Sequence, residues 1–333
     1  MLNILIVALL QGFEYALVTL GVMLSFRIIR FPDLTIEGSF PLGGAITASM
    51  IAAGFQPVWG VGVSIFAGFA AGLLTGVLNT KFKISKLLSG LLVMTVLFTI
   101  NLRIMGRSNI PLLYFQTILT PIEKLLPKST LPLILFFFVV IVLCKWLVDQ
   151  FLTTELGLAL RATGDNEQMI RSLGVDTDFT NILGLGLANA LIALSGSLVT
   201  QDQGFADISM GVGVMVTGLA AMIIGETLLR PKGIGGLSAA MILGTVVYYL
   251  VISIGLRLGL APTDLKLVKE NHLTTLMVTH NMDQAIRYGN RLIMMHEARI
   301  ILDVSGEEKE RLTISEVIQR FGIADEGLLL VKQ

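Results

Sequence analysis

Hydrophobic residues in this chain come in long unbroken blocks, not in the alternation of a half-buried strand or the narrow stripe of a surface helix. A bilayer core about 30 Å thick takes about 20 mostly apolar residues in a helix, and eight blocks approach that length. They lie near residues 3–25, 38–54, 57–79, 87–103, 131–148, 178–200, 212–229 and 236–256. The first has no basic flank and is too long for a signal-peptide core, so it reads as a retained spanning helix. The second is short and glycine-rich and follows the polar stretch FPDLTIEGSF, which predicts a broken or re-entrant element in place of a clean span. The fold class expected is an all-α polytopic membrane protein of about eight transmembrane helices, with a small α/β C-terminal fragment.

Lysine and arginine near the ends of the blocks are unevenly shared. With the N-terminus outside, the inner loops carry Arg27, Arg30, Lys81, Lys83, Lys86, Lys145, Arg161, Arg171, Arg230 and Lys232, ten residues against four on the outer side (Arg103, Arg107, Lys124, Lys128). Positive charge is retained on the cytoplasmic face, which fixes the expected orientation. Composition agrees: 54% of residues are hydrophobic and 14% charged, with a mean hydropathy of +0.80, against roughly 45–50% apolar and 25% charged in soluble domains. The formal net charge is zero, so nothing points to nucleic acid. The single cysteine, Cys144, lies in an apolar run and reads as packing.

Within the third block, GFAAGLLTG sets Gly68, Gly72 and Gly76 on one helical face, the spacing that lets two backbones approach closely in lipid. After Leu260 the character changes. APTDLKLVKENHL is polar and no later stretch is long enough to span. Two domains are expected, a transmembrane body over 1–263 and a small soluble segment over 264–333.

The longest polar interruption between blocks is TTELGLALRATGDNEQMIRSLGVDTDF. Its middle reads as a short amphipathic helix, with Leu156, Leu160, Ile170 and Leu173 apolar and Arg161, Asp165, Asn166, Glu167 and Arg171 polar. Sidedness puts it in the cytoplasm.

Three separated stretches, GLALRATGDNEQMIRSLGVDT, FPDLTIEGSF and QDQGFADISMGVGVMVTGLAAMIIGE, resemble the membrane permease subunit of bacterial ATP-binding-cassette importers. The likeness covers about residues 1–268 and is greatest to the subgroup of branched-chain amino-acid and ribose permeases, including tryptophan- or tyrosine-type uptake systems. The resemblance implies that 155–175 forms a coupling helix, with Arg161, Gly164, Asp165, Asn166 and Arg171 facing a groove of a separate ATPase subunit. It also implies a periplasmic or lipid-anchored substrate-binding protein, a permease homodimer in the bacterial plasma membrane, a small solute such as an amino acid, and no cofactor.

Ionisable groups inside spans are costly and mark pathways. Glu14 has no basic residue within a turn or two. Asp33 and Glu37 stand at the entrance to the glycine-rich second element, where unwound backbone can line a polar route. Gln203 and Asp207, with Gln201 and Asp202, lie in the outer stretch QDQGFADISMG and are candidates for contact with a substrate-delivery protein or for the mouth of the pathway. Glu226 is explained by Arg230 four residues on.

In the tail, TTLMVTHNMDQA resembles the switch-histidine region of a cassette ATPase, with His280 as the switch, and RLIMMHEARIILD the last hairpin of that domain. Ala298 stands where that pattern has a turn glycine. A phosphate cradle needs GxxxxGK[ST], and no such run occurs. The tail therefore reads as a fragment and His280 as a vestigial nucleotide switch, with no ATP hydrolysis expected. Eight spans from an outside N-terminus also leave the tail outside, as if an in-frame deletion had joined two genes and removed one span. The rival readings are a fusion remnant that inserts without transporting, and a secondary transporter driven by protons through Glu14.

Overall fold

The computed structural model describes residues 2–125, 130–257, 291–296 and 299–305. Two compact units divide the chain, residues 1–254 and 255–333, nine residues before the boundary that composition suggests. In the first unit α1 (Leu2–Val22) winds into a π-helical turn (Met23–Ile28), and an irregular stretch leads into α2 (Ile36–Ala52). Then come α3 (Pro57–Thr80), α4 (Lys86–Met105), the short strand β1 (Asn109–Pro111), α5 (Thr120–Leu125) and α6 (Leu131–Thr153). The polar interruption folds as α7 (Glu155–Asp165) and α8 (Glu167–Ser172), followed by α9 (Thr177–Gln203), β2 (Phe205–Asp207), α10 (Val214–Leu229) and α11 (Ile234–Arg257).

Among the described residues, six helices are long and apolar enough to cross a membrane: Leu5–Ile28, Pro57–Thr80, Lys86–Met105, Leu131–Thr153, Thr177–Gln203 and Ile234–Gly255. The shorter α2 and α10 complete the eight predicted blocks. Among the described residues this is a polytopic all-α membrane body.

The long helix α9 is the hub, packed on α3, α2 and α1. Its close neighbours are set by glycine. A Cβ at Gly72 would strike the Leu185 carbonyl, one at Gly68 would strike Ala193, and one at Gly76 would come within 2.7 Å of Ile182 Cα. This is the seam predicted from GFAAGLLTG. On another face α2 and α9 approach reciprocally, Gly43 against the Ala193 carbonyl and Gly196 against the Phe40 carbonyl. Between helices in lipid there is no hydrophobic drive, so such contact supplies dispersion in its place. The helices α4 and α6 sit at the periphery and present Phe98, Leu135 and Trp146 outward, as a lipid-facing surface does.

Three features depart from the sequence reading. First, α2 is one continuous helix and almost wholly buried, with Pro41 inside it. The missing Pro41 N–H frees the Glu37 carbonyl, and the backbone of Gly211 covers it so closely that a Cβ there would clash. The unwound segment lies before the helix, at 29–35. Second, the interruption after α6 is two helices, broken at Asn166 (φ −153°, ψ 90°), whose side chain caps α8 by accepting from Met169 N–H at 3.0 Å. Of its four apolar positions only Leu160 is buried, while Leu156 and Leu173 are exposed. Third, Gln201, Asp202 and Gln203 belong to the last turn of α9, which stops at Gly204 in the left-handed conformation (φ 74°).

The loops grouped by charge onto one side meet there. Arg27 pairs with Glu226, Arg30 with Asp165 and Lys81 with Asp178, at the end expected to face the cytoplasm. At the opposite end β1 and β2 pair antiparallel, with Asn109 opposite Asp207 and Pro111 opposite Phe205.

In the second unit β3 (Arg291–His296) and β4 (Arg299–Ser305) form an antiparallel hairpin in which Arg291 faces Ser305 and His296 faces Arg299, with a bulge at Met294/Met295. This is the hairpin expected from RLIMMHEARIILD. His280 and Ala298 lie outside the described residues.

Candidate functional site

The inner end of the body is built around the segment that follows the π-helical turn. Arg30 adopts φ 55°, unusual for a residue with a side chain. The strain is supported from two sides. Its guanidinium donates to Asp165 Oδ1 at 2.8 Å, and its carbonyl accepts from Lys86 Nζ at 3.4 Å. Directly beneath, Gly164 of α7 lies so close to the Ile28 carbonyl that any Cβ would clash. The predicted coupling stretch thus touches the end of the π-helical turn that continues α1.

The other residues expected there have distinct positions. Asn166 caps α8. Arg171 braces α8 against the start of α9, donating to Thr177 Oγ1 at 2.8 Å and Asp178 Oδ1 at 3.1 Å and pairing with Glu167. Arg161 lines a cavity of about 480 Å³ together with Arg27, Asp165, Glu226 and Arg230. Glu226 does not pair with Arg230: Arg27 Nε donates to its Oε1 at 2.7 Å. The helix ends at Arg230 in the left-handed region (φ 43°), and the contact runs instead to the end of α1.

In the middle of the body Asp33 is fully enclosed. Its Oδ1 accepts from Thr35 N–H at 2.9 Å and its Oδ2 from Asn189 Nδ2 at 2.7 Å. The same Asn189 nitrogen donates to the Leu185 carbonyl at 3.0 Å. Beside them Thr35 and Thr75 hydroxyls lie 2.6 Å apart. Asp33 therefore ties the unwound segment to α9 and faces no open space. Glu37 accepts from Gly213 N–H at 3.1 Å and fixes the approach to α10.

Toward the outer end, Glu14 of α1 is 2% exposed, and its Oε1 has no hydrogen-bond partner. Its carboxyl lies beside that of Asp202, at the end of α9. The next residue, Tyr15, stacks on Phe40 at 5.6 Å and meets the Tyr249 ring at 5.1 Å. Asp207 is separate from this group. It accepts from Ser209 N–H at 2.8 Å, from the Ser209 hydroxyl, and from Asn109 Nδ2 at 3.1 Å, which holds its carboxyl below the usual carboxylate range, the Ser209 bonds foremost.

Of the five residues expected along the pathway, the structure brings together only Glu14 and Gln203. Tyr15, Phe40 and Tyr249 were not legible as partners because their separation along the chain carries no contact information. Asn189 had a usable signal, an amide within an apolar helix.

A family model described as branched-chain amino acid transport system / permease component matches residues 4–270. The chain is similar to the tyrosine transport system permease protein of Clostridioides difficile (strain R20291), 41% identical over 280 residues that cover 84% of this chain and 92% of that protein. A more distant similarity, 24% over 223 residues, covers 64% of this chain and 67% of the ribose import permease protein of Escherichia coli (strain K12). A 59-residue stretch, 18% of this chain, is 51% identical to 24% of the tyrosine transport ATP-binding protein of C. difficile (strain R20291). No solved structure gives a significant match.

Proposed function

We propose a cargo and a coupling route for a chain that belongs to the family of permease components of branched-chain amino acid transport systems. The chain is the permease component of an ATP-binding-cassette importer and a multi-pass inner-membrane protein. Its cargo is an aromatic amino acid of the tyrosine type, a reading supported by the 41% identity to a tyrosine transport permease. It works as a homodimer with a separate cassette ATPase and a soluble binding protein, and performs no covalent chemistry itself.

The observation that carries the coupling is the contact of α7 with the end of α1. The ATPase docks on the inner surface of α7 and α8, where Leu156, Leu158, Met169 and Leu173 are exposed. When it closes on ATP it displaces α7. Gly164 has no side chain to cushion the Ile28 carbonyl, so the displacement passes to the strained Arg30 segment and through the π-helical turn into α1, which carries Glu14. Such turns often lie at functional sites. ATP binding elsewhere thereby shifts the population between inward-open and outward-open bodies.

The test is uptake of labelled tyrosine by proteoliposomes holding the chain, its ATPase and its binding protein. ATP-dependent uptake is expected, and Gly164→Leu, which wedges α7 from Ile28, is expected to lower it at least about tenfold, near 1.4 kcal/mol of coupling. Flux without ATP that follows a pH gradient would instead support a secondary transporter.

A second reading concerns residues 264–333. The 59-residue similarity to a tyrosine transport ATP-binding protein supports an appended ATPase fragment, and without a phosphate cradle that fragment turns over no nucleotide. Steady ATP hydrolysis by the purified chain alone would refute this.

A further inference from the structure

We propose that Glu14 and Asp202, walled by Tyr15, Tyr249 and Phe40, form a subsite in the outer half of the body for the primary ammonium of the transported amino acid. The inference rests on the reading of the cargo as an amino acid and assigns the contact that selects it.

Two carboxylates side by side repel each other unless a cation lies beside them. Glu14 Oε1 is buried and without a partner, and an orphaned buried acceptor costs about 1–3 kcal/mol. No ion pair of the described residues involves Glu14 or Asp202. All three histidines lie beyond residue 270. The group that answers these acceptors is a compact cation with several donors.

A primary ammonium has three N–H donors and one positive charge. It offers donors to Glu14 Oε1 and to the Asp202 carboxylate together. The walls suit the rest of such a molecule. Tyr15 and Phe40 stack on each other, 22° from parallel, and Tyr249 packs against Tyr15 at 5.1 Å, so the group presents one continuous aromatic surface beside the acids. Ring faces attract a cation within about 6 Å and stack on an aromatic side chain. Gln203, exposed at the end of α9 and next to Asp202, connects the group to the surface.

The experiment measures ligand-induced thermal stabilisation of the purified full chain in lipid nanodiscs. The probes are tyrosine, tyramine and 3-(4-hydroxyphenyl)propionate, which share the ring and differ in the ammonium. Tyrosine and tyramine are expected to raise the melting temperature and the amine-free acid is not. Glu14→Gln, close to isosteric, is expected to weaken the apparent Kd for tyramine at least about tenfold. Equal stabilisation by the amine-free acid, no stabilisation by either amine, or an unchanged Kd in Glu14→Gln overturns the subsite. Should Glu14→Gln fail to fold, the comparison of the three ligands on the unaltered chain decides alone. Tyrosine uptake by the unaltered complex is followed in parallel. Uptake without amine-selective stabilisation sinks the subsite only, whereas absence of tyrosine uptake sinks the proposed cargo.

Discussion

Asp33 and Glu14 are both acids enclosed in the helical body, at 0% and 2% exposure, yet their surroundings are opposite. Each Asp33 oxygen accepts from an amide, Thr35 N–H on one side and Asn189 on the other; in that cluster only the Asn189 carbonyl oxygen goes without a partner. Glu14 has another acid beside it and one oxygen with no partner. A buried polar group whose bonds are met is structural glue, because its desolvation is offset where it stands. One whose bonds are unmet destabilises the resting fold, and it persists where something else completes it.

Removing the satisfied acid therefore has the largest effect on stability. Asp33→Ala strands the buried Thr35 N–H and one donor of Asn189, and is expected to cost about 2–3 kcal/mol, read from the unfolding midpoint in mixed micelles. The same measurement on Glu14→Gln is expected to move by less than about 1 kcal/mol, since an amide asks less of that site than a carboxylate does. Equal losses at the two positions would break the contrast.

A milder version of the same test lies between α2 and α9, where the buried hydroxyls of Thr47 and Ser197 are 2.6 Å apart. Ser197→Ala leaves Thr47 without this partner and is expected to cost about 0.5–1.5 kcal/mol. Adding Thr47→Val removes the stranded hydroxyl and should recover part of that loss. A double-mutant cycle with no coupling between the two would show that satisfied pairs do not hold these helices together.

Sequence legibility followed the same division. Hydrophobic blocks, the glycine ladder and the uneven charge carried the spans, the α3–α9 seam and the grouping of inner loops, because each is a local property of one segment against lipid or water. Partnerships were hidden. Glu226 lay four residues from Arg230 and looked explained, but the left-handed turn at Arg230 ends the helix and Arg27, remote in sequence, takes the contact. Glu14 was conspicuous as a carboxyl in an apolar helix, whereas Asp202 looked like loop until the last turn of α9 carried it alongside. The role of FPDLTIEGSF is divided: the unwound part holds Asp33 in a closed lock, and the part after it is ordinary buried helix.

Asp207 extends the comparison to an acid at the surface and gives the smallest effect. It was expected at the mouth of the pathway with Gln203, but Ser209 and Asn109 occupy both its oxygens and it anchors the β1–β2 pairing. Its folded pKa lies below the ordinary value, chiefly through the Ser209 hydroxyl and N–H. A depressed carboxylate pKa stabilises the folded form fully above the unfolded value, and that contribution is lost as pH falls through the folded one. The outer pairing should thus be unchanged from pH 8 to about pH 5 and loosen only below about pH 4. Hydrogen exchange over residues 106–112 and 204–210 reads this directly, and Asp207→Asn should flatten the acid response while leaving tyrosine uptake near its original rate. If Asp207→Asn instead abolished uptake without changing exchange, the acid would belong to the pathway, and the rule that bonded acids are structural would fail at its most exposed case.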